Sequence, residues 1–162
     1  MLPLFDEPEG FDRDGLAARL AALARENIFI GTSSWKYEGW FGQIYTRSNY
    51  TARGRYSKRL FEQTCLREYA ETFPTVCGDF SFYQFPSEEF WRRLFWQAPE
   101  GFRFAFKAPE QITCRVFPAH PRYGAQGGEE NPSFLDAEML KQLFLRPLEP
   151  HRGKTALVIF QF

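Results

Sequence analysis

One hexapeptide, Phe102-Arg-Phe-Ala-Phe-Lys107, constrains this chain more than any other segment. Its apolar and polar residues alternate with period two, which is the spacing of a β-strand. Phe102, Phe104 and Phe106 fall on one face, and Arg103, Ala105 and Lys107 on the other. Three phenyl rings on one side demand an apolar covering layer, and helices are the expected one. The polar face ends in a lysine at the C-terminal tip of the strand. In parallel α/β barrels that end carries the ligand chemistry.

The flanking segments fit the same plan. Asp14 is positioned to cap a helix running to about Arg25, with Leu16, Leu20 and Leu23 on one stripe. Ile28 to Thr32 reads as a buried strand. Ser57 caps a helix that Pro74 stops near Phe73. Thr75 to about Asp79 is a second strand, and Pro86-Ser87-Glu88-Glu89 opens a second long helix. Beyond the Phe-rich strand lies a Gly/Pro-rich loop to Asn131. Pro132-Ser133 with Asp136 resembles a capping box, so a helix is expected there with Leu135, Met139, Leu140, Leu143 and Phe144 facing inward. Thr155 to Phe160 is a nearly continuous apolar run, expected to be a strand buried on both faces. Strands alternating with helices mean a parallel α/β sheet with right-handed crossovers.

Composition narrows the function classes. The chain has 162 residues, the size of one domain, and 19 of them are Phe, so it has ample material for a core. Twenty basic residues balance twenty acidic ones. No global charge therefore draws the chain to nucleic acid or to anionic membrane, and such affinity would need a local patch. Cys65, Cys77 and Cys114 are odd in number and form no Cys-x-x-Cys pair, which favours a reducing compartment. Residues 1–13 are acidic and contain Pro and Gly, an irregular arm without the basic and apolar regions of a signal peptide. The expectation is a cytoplasmic protein with no membrane partner.

At Ile30-Gly-Thr-Ser-Ser-Trp-Lys-Tyr-Glu-Gly-Trp40 the chain resembles the YecE-like family, domain of unknown function 72. Four further blocks carry the resemblance in order: 66–76, 80–87, 99–109 and 157–162. Members of the family look like TIM-type (β/α) barrels of no established activity. The resemblance implies an N-terminal arm and helix over 1–27, then the N-terminal half of such a barrel over 28–162. It implies about four parallel strands with covering helices, because a full barrel takes roughly 250 residues. Open sheet edges make self-association through them an expectation. The chain departs from the family pattern at the barrel mouth. Cys77 and Asp79 stand where the family has Glu and Asn, and Cys114 stands where it tends to have His.

The candidate site residues follow from position. Lys107, at the strand tip, is suited to hold an anion, to stabilise developing charge or, if desolvated, to act as a nucleophile. Asp79, at the end of the second strand, is suited to act as a general base, a metal ligand or the counter-ion of Lys107. These two are the candidate catalytic residues. Trp35, Tyr37 and Tyr83 follow the first two strands and would stack on a sugar or base. His120 and Arg122 lie in the long loop that follows the third strand, where ligand contacts concentrate. Arg53 and Arg55 belong to a basic and aromatic stretch, the ingredients of a single-stranded nucleic-acid site. Cys77, Cys114, Asp79 and His120 match no zinc spacing, and no dinucleotide or phosphate-loop motif is present. No cofactor is indicated.

The sequence therefore points to an uncharacterised barrel protein with a ligand or active site at the C-terminal ends of its strands. A hydrolase or lyase acting on a phosphorylated sugar or nucleic acid is its sharpest form. The alternatives are a non-catalytic module that binds nucleic acid or protein, and an inactive fragment.

Overall fold

The structure is a computed structural model that describes residues 10–162. Most of the acidic arm expected over 1–13 lies outside the described residues. Helix α1 spans Arg13–Arg25 and is capped by Asp12, whose Oδ1 accepts from Gly15 N at 2.8 Å. The cap is thus two residues earlier than the expected Asp14.

No strand forms over Ile28 to Ile30. Only Thr32 pairs, through a single parallel bridge to Val76, with Cys77 N donating to the Thr32 carbonyl at 2.9 Å. Ile28 and Ile30 are each 48% exposed. Their apolar side chains have no layer to pack against, so nothing holds the extended segment in register. Two 3₁₀ turns, Glu38–Trp40 and Arg47–Tyr50, lead into a small antiparallel hairpin, β1 Thr51–Ala52 and β2 Arg55–Tyr56. At its tip Arg53 and Gly54 have φ of 53° and 75°, as a tight hairpin turn requires.

Helix α2 spans Lys58–Tyr69 and is capped by Ser57, as the sequence predicts. Strand β3 is Thr75–Gly78, followed by the short helix α3 Phe80–Tyr83 and by α4 Glu88–Gln97, capped by Ser87. Strand β4 is Arg103–Lys107, and a short helix α5 follows at Glu110–Thr113. Helix α6 Ala137–Leu140 runs through a π-helical turn, Lys141–Leu145, into α7 Arg146–Leu148. Strand β5 is Thr155–Ile159.

The three longer strands form one sheet in the order β3-β4-β5, all parallel. Cys77, Ala105 and Leu157 align across it. The fold is therefore α/β with an open three-stranded parallel sheet. The fourth expected strand is reduced to the bridge at Thr32.

The Phe face of β4 behaves as the alternation predicts. Phe102, Phe104 and Phe106 are buried against helices, with Phe95 4.9 Å from Phe104 and Trp91 4.8 Å from Phe106 between ring centroids. Phe104 and Phe106 stack at 5.5 Å. The opposite face is open. Leu157 is 50% exposed and Ile159 37%, Ala156 is exposed too, and only Val158, half-buried, packs on the core, so β5 is not the strand buried on both faces that its sequence suggests. The apolar run of β5 records what its residues are, whereas its burial depends on a layer over that face.

The last helical region also departs from expectation. It starts at Asp136, whose Oδ1 accepts from Met139 N at 2.8 Å, not at Pro132-Ser133. Leu135 sits before it at φ 59° and is exposed. Leu143 is exposed as well, while Leu140, Phe144 and Leu148 pack on the core. The π-helical turn contributes one extra residue per turn and sets this phase. No helix among the described residues is long and apolar enough to cross a membrane.

Candidate functional site

The C-terminal ends of β3 and β4 lie side by side, and a buried serine ties them together. Ser81 Oγ lies 3.1 Å from the Gly78 carbonyl and 2.7 Å from the Lys107 carbonyl. This brings Asp79 and Lys107 together at the rim of the open face. Lys107 Nζ stands 3.2 Å from Asp79 Oδ1. The side chains are 26% and 40% exposed, so the pair is reachable from solvent. The Asp79 side chain does not cap α3 and remains free to face the lysine. Lys107 also lies over the ring of Phe82, at 5.8 Å. Cys77 Sγ is 3.8 Å from Asp79 Oδ1, and burial, followed by the Asp79 charge, pushes its thiol up.

A second cluster stands beyond the tip of β4, and the sequence reading missed its centre. Glu110 is 7% exposed. Its Oε2 accepts from Arg122 Nη2 at 2.8 Å and from the Tyr123 hydroxyl at 2.5 Å. Arg122 also donates to the Tyr123 hydroxyl. Its guanidinium lies 4.4 Å from the Tyr83 ring centroid and 4.7 Å from that of Tyr123. Burial, followed by the hydrogen bond to Glu110, pushes the Tyr123 hydroxyl up. These residues line a cavity of about 290 Å³ together with Phe117 and Asn131. The one signal in the sequence was a carboxylate three residues after Lys107, on the strand end that carries chemistry.

The long loop that roofs this cavity is a built structure. Val116 and Glu130 form an antiparallel bridge, and Gly128 N donates to the Phe117 carbonyl at 2.8 Å. Asn131, 6% exposed, fixes its base by donating to the carbonyls of Gln111 and Cys114, both at 2.8 Å. His120 caps a 3₁₀ turn, with Nδ1 accepting from Arg122 N at 3.2 Å, and stands outside the cavity lining.

The remaining candidates are scattered. Trp35 is 6% exposed and packs edge-on against Phe80 in the core. The Tyr45 hydroxyl donates to the Trp35 carbonyl. Tyr37 is exposed and sits edge-on to Trp40 at 5.3 Å. Arg53 and Arg55 are exposed at the hairpin. Beneath them Arg47 lies over Tyr56 at 5.0 Å and over Phe41 at 5.4 Å.

A three-stranded parallel sheet with helices on one face places the chain in the α/β class. The sequence pattern of a family described as "Protein of unknown function DUF72" matches residues 29–162. The chain belongs to this family. Among solved structures it is similar to a DUF72 family protein from Enterococcus faecalis V583, with 26% identity and a TM-score of 0.45. The match covers 63% of this chain and 35% of that one, so this chain spans about a third of that protein's length. No curated protein matches the chain.

Proposed function

We propose that this chain forms part of a TIM-type barrel and binds an anionic ligand at the C-terminal ends of its strands. The observation that carries this reading is the solvent-reachable pair of Lys107 and Asp79, 3.2 Å apart across adjacent parallel strands. An ammonium in that position meets a phosphate or carboxylate without first being dug out of the core. Tyr83 and Arg122, in the neighbouring cavity, extend the site. In the sharper form, a hydrolase or lyase acting on a phosphorylated sugar or nucleic acid, Lys107 stabilises developing negative charge and Asp79 accepts a proton. That form rests on fold analogy.

Titration with inorganic phosphate, followed by calorimetry, tests the reading. The unmodified protein is expected to bind, and Lys107→Met to lose binding while its melting temperature shifts by only about 2–4 °C or less. Phosphate affinity that survives the substitution, or a collapse of stability, overturns it. Hydrolysis of ribose 5-phosphate or a single-stranded oligonucleotide then decides the substrate.

A second reading assigns single-stranded nucleic acid to the hairpin, where Arg53 and Arg55 are exposed and the neighbouring Tyr56 ring carries Arg47 over it. Affinity for an oligonucleotide would fall steeply with salt and with loss of Arg53 and Arg55. Salt-independent binding, or none, removes this reading.

A further inference from the structure

The carboxylate of Glu110 has two oxygens in different situations. Oε2 is saturated by Arg122 and Tyr123. Oε1 receives no hydrogen bond among the described residues, although Glu110 is more than nine-tenths buried and lines the cavity. Oε1 is not one of the sealed, partnerless polar atoms of the described residues, which are the Tyr56 hydroxyl, Trp91 Nε1 and Thr113 Oγ1, so it is an acceptor reachable from the cavity. Any occupant of this cavity is therefore favoured if it brings a donor to Oε1.

The surroundings restrict what that donor belongs to. Arg122 balances Glu110 locally, so the cavity has no spare charge of either sign. An anion would meet the free carboxylate oxygen with the wrong sign. An organic cation would crowd a second positive charge beside the Arg122 guanidinium, which already holds the same carboxylate at 2.8 Å. A neutral hydroxyl has neither problem. The walls add aromatic faces: Tyr83, more than half exposed, and Phe117 with Tyr123, whose centroids are 5.5 Å apart. Gln111, Gln126 and Ser133 offer further polar groups around the rim. Aromatic faces beside a few placed polar groups are the usual makeup of a small-molecule pocket, and 290 Å³ is at the small end of such pockets.

We infer that the cavity between Glu110, Arg122, Tyr83 and Tyr123 is a binding site for a neutral, polyhydroxylated ring of single-sugar size. Glu110 Oε1 accepts from a ring hydroxyl, Arg122 donates to a ring oxygen, and Tyr83 packs on the apolar face of the ring. The inference rests on the reading above for the position of the site and names the ligand class of its second lobe. Glu110 is then a recognition residue, and Asn131 is a positioning residue that holds the roof.

Saturation-transfer NMR with D-xylose and D-glucose, and with xylitol as an open-chain control, tests this on the full chain. Transfer to the ring protons of at least one sugar is expected, with weaker transfer to xylitol. Glu110→Gln is expected to weaken the sugar affinity about tenfold, the cost of losing a charged acceptor. Tyr83→Ala, at an exposed position where folding is not at stake, is expected to weaken it about fivefold by removing the stacking face. Absence of transfer from both sugars overturns the inference. So does transfer that both variants leave unchanged, or transfer from xylitol equal to that from the sugars. Phosphate titration reports on Lys107 and sugar titration on Glu110, so either reading can fail while the other stands.

Discussion

The hydroxyl of Ser81 lies 2.7 Å from the carbonyl oxygen of Lys107, a residue 26 positions later in the chain. Ser81 is fully buried, and its oxygen also approaches the Gly78 carbonyl. One short side chain thus pins the tip of β4 to the turn that follows β3, the two places from which Lys107 and Asp79 project. Ser81→Ala is expected to cost about 1–2 kcal/mol, because a buried carbonyl loses its donor. It should also weaken phosphate binding at Lys107. Urea denaturation and phosphate calorimetry on the same variant check both outcomes.

The two faces of the sheet differ sharply in what they contribute. Phe104 is wholly buried between Phe95, Phe102 and Phe106. Phe104→Ala should destabilise the chain by about 3–5 kcal/mol, through lost transfer energy and the cavity left behind. Leu157, on the neighbouring strand and the open face, is half exposed. Leu157→Ala should cost less than about 1 kcal/mol. Equal losses in chemical denaturation would show that the open face is covered.

Glu68 is a buried carboxylate in the scaffold. It accepts from Thr46 N at 2.8 Å, Asn49 Nδ2 at 3.3 Å and the Tyr50 hydroxyl at 2.7 Å, with Arg13 3.5 Å away. Burial, followed by the hydrogen bond to Glu68, pushes the Tyr50 hydroxyl far up. Glu68→Ala strands several donors and is expected to cost about 3 kcal/mol. Glu71, two-thirds exposed and paired with the same Arg13, should cost less than about 1 kcal/mol on the same change. Denaturation midpoints of the two variants separate these values.

His151 stacks on Phe95 at 4.3 Å, and burial, followed by the charge of Lys154, pulls its imidazole below the ordinary value of about 6.5. The native state therefore resists protonation that the unfolded chain accepts. This contribution is fully present above about pH 6.5 and is lost as the pH falls through the lower native value. Melting temperatures measured from pH 8 to pH 5 should fall more steeply for the unmodified protein than for His151→Gln. Parallel curves would show that His151 has no part in the acid response.

Local rules in the sequence determined a good deal of this protein. Period-two spacing alone placed Phe104 and Phe106 in the core and Lys107 on the other face. The cap at Ser57 and the helix start at Pro86-Ser87-Glu88-Glu89 were readable because a side-chain oxygen and the backbone N–H it accepts from lie only three residues apart. The pairing of Lys107 with Asp79 was legible too, since both stand at the ends of neighbouring parallel strands.

What only the tertiary structure decided involves partners distant in the chain or layers outside the segment concerned. Ile28 to Ile30 and Leu157 are apolar enough for a buried strand. Burial needs a second surface, and hydrophobicity cannot report whether one is there. Glu110 carries no motif. Its meaning arises when a loop more than ten residues away folds back and sets Arg122 and Tyr123 against one of its oxygens while leaving the other bare. Sequence spacing encodes the face of an element because backbone geometry is periodic. It does not encode which distant side chain closes on that face, because that contact belongs to the packed whole.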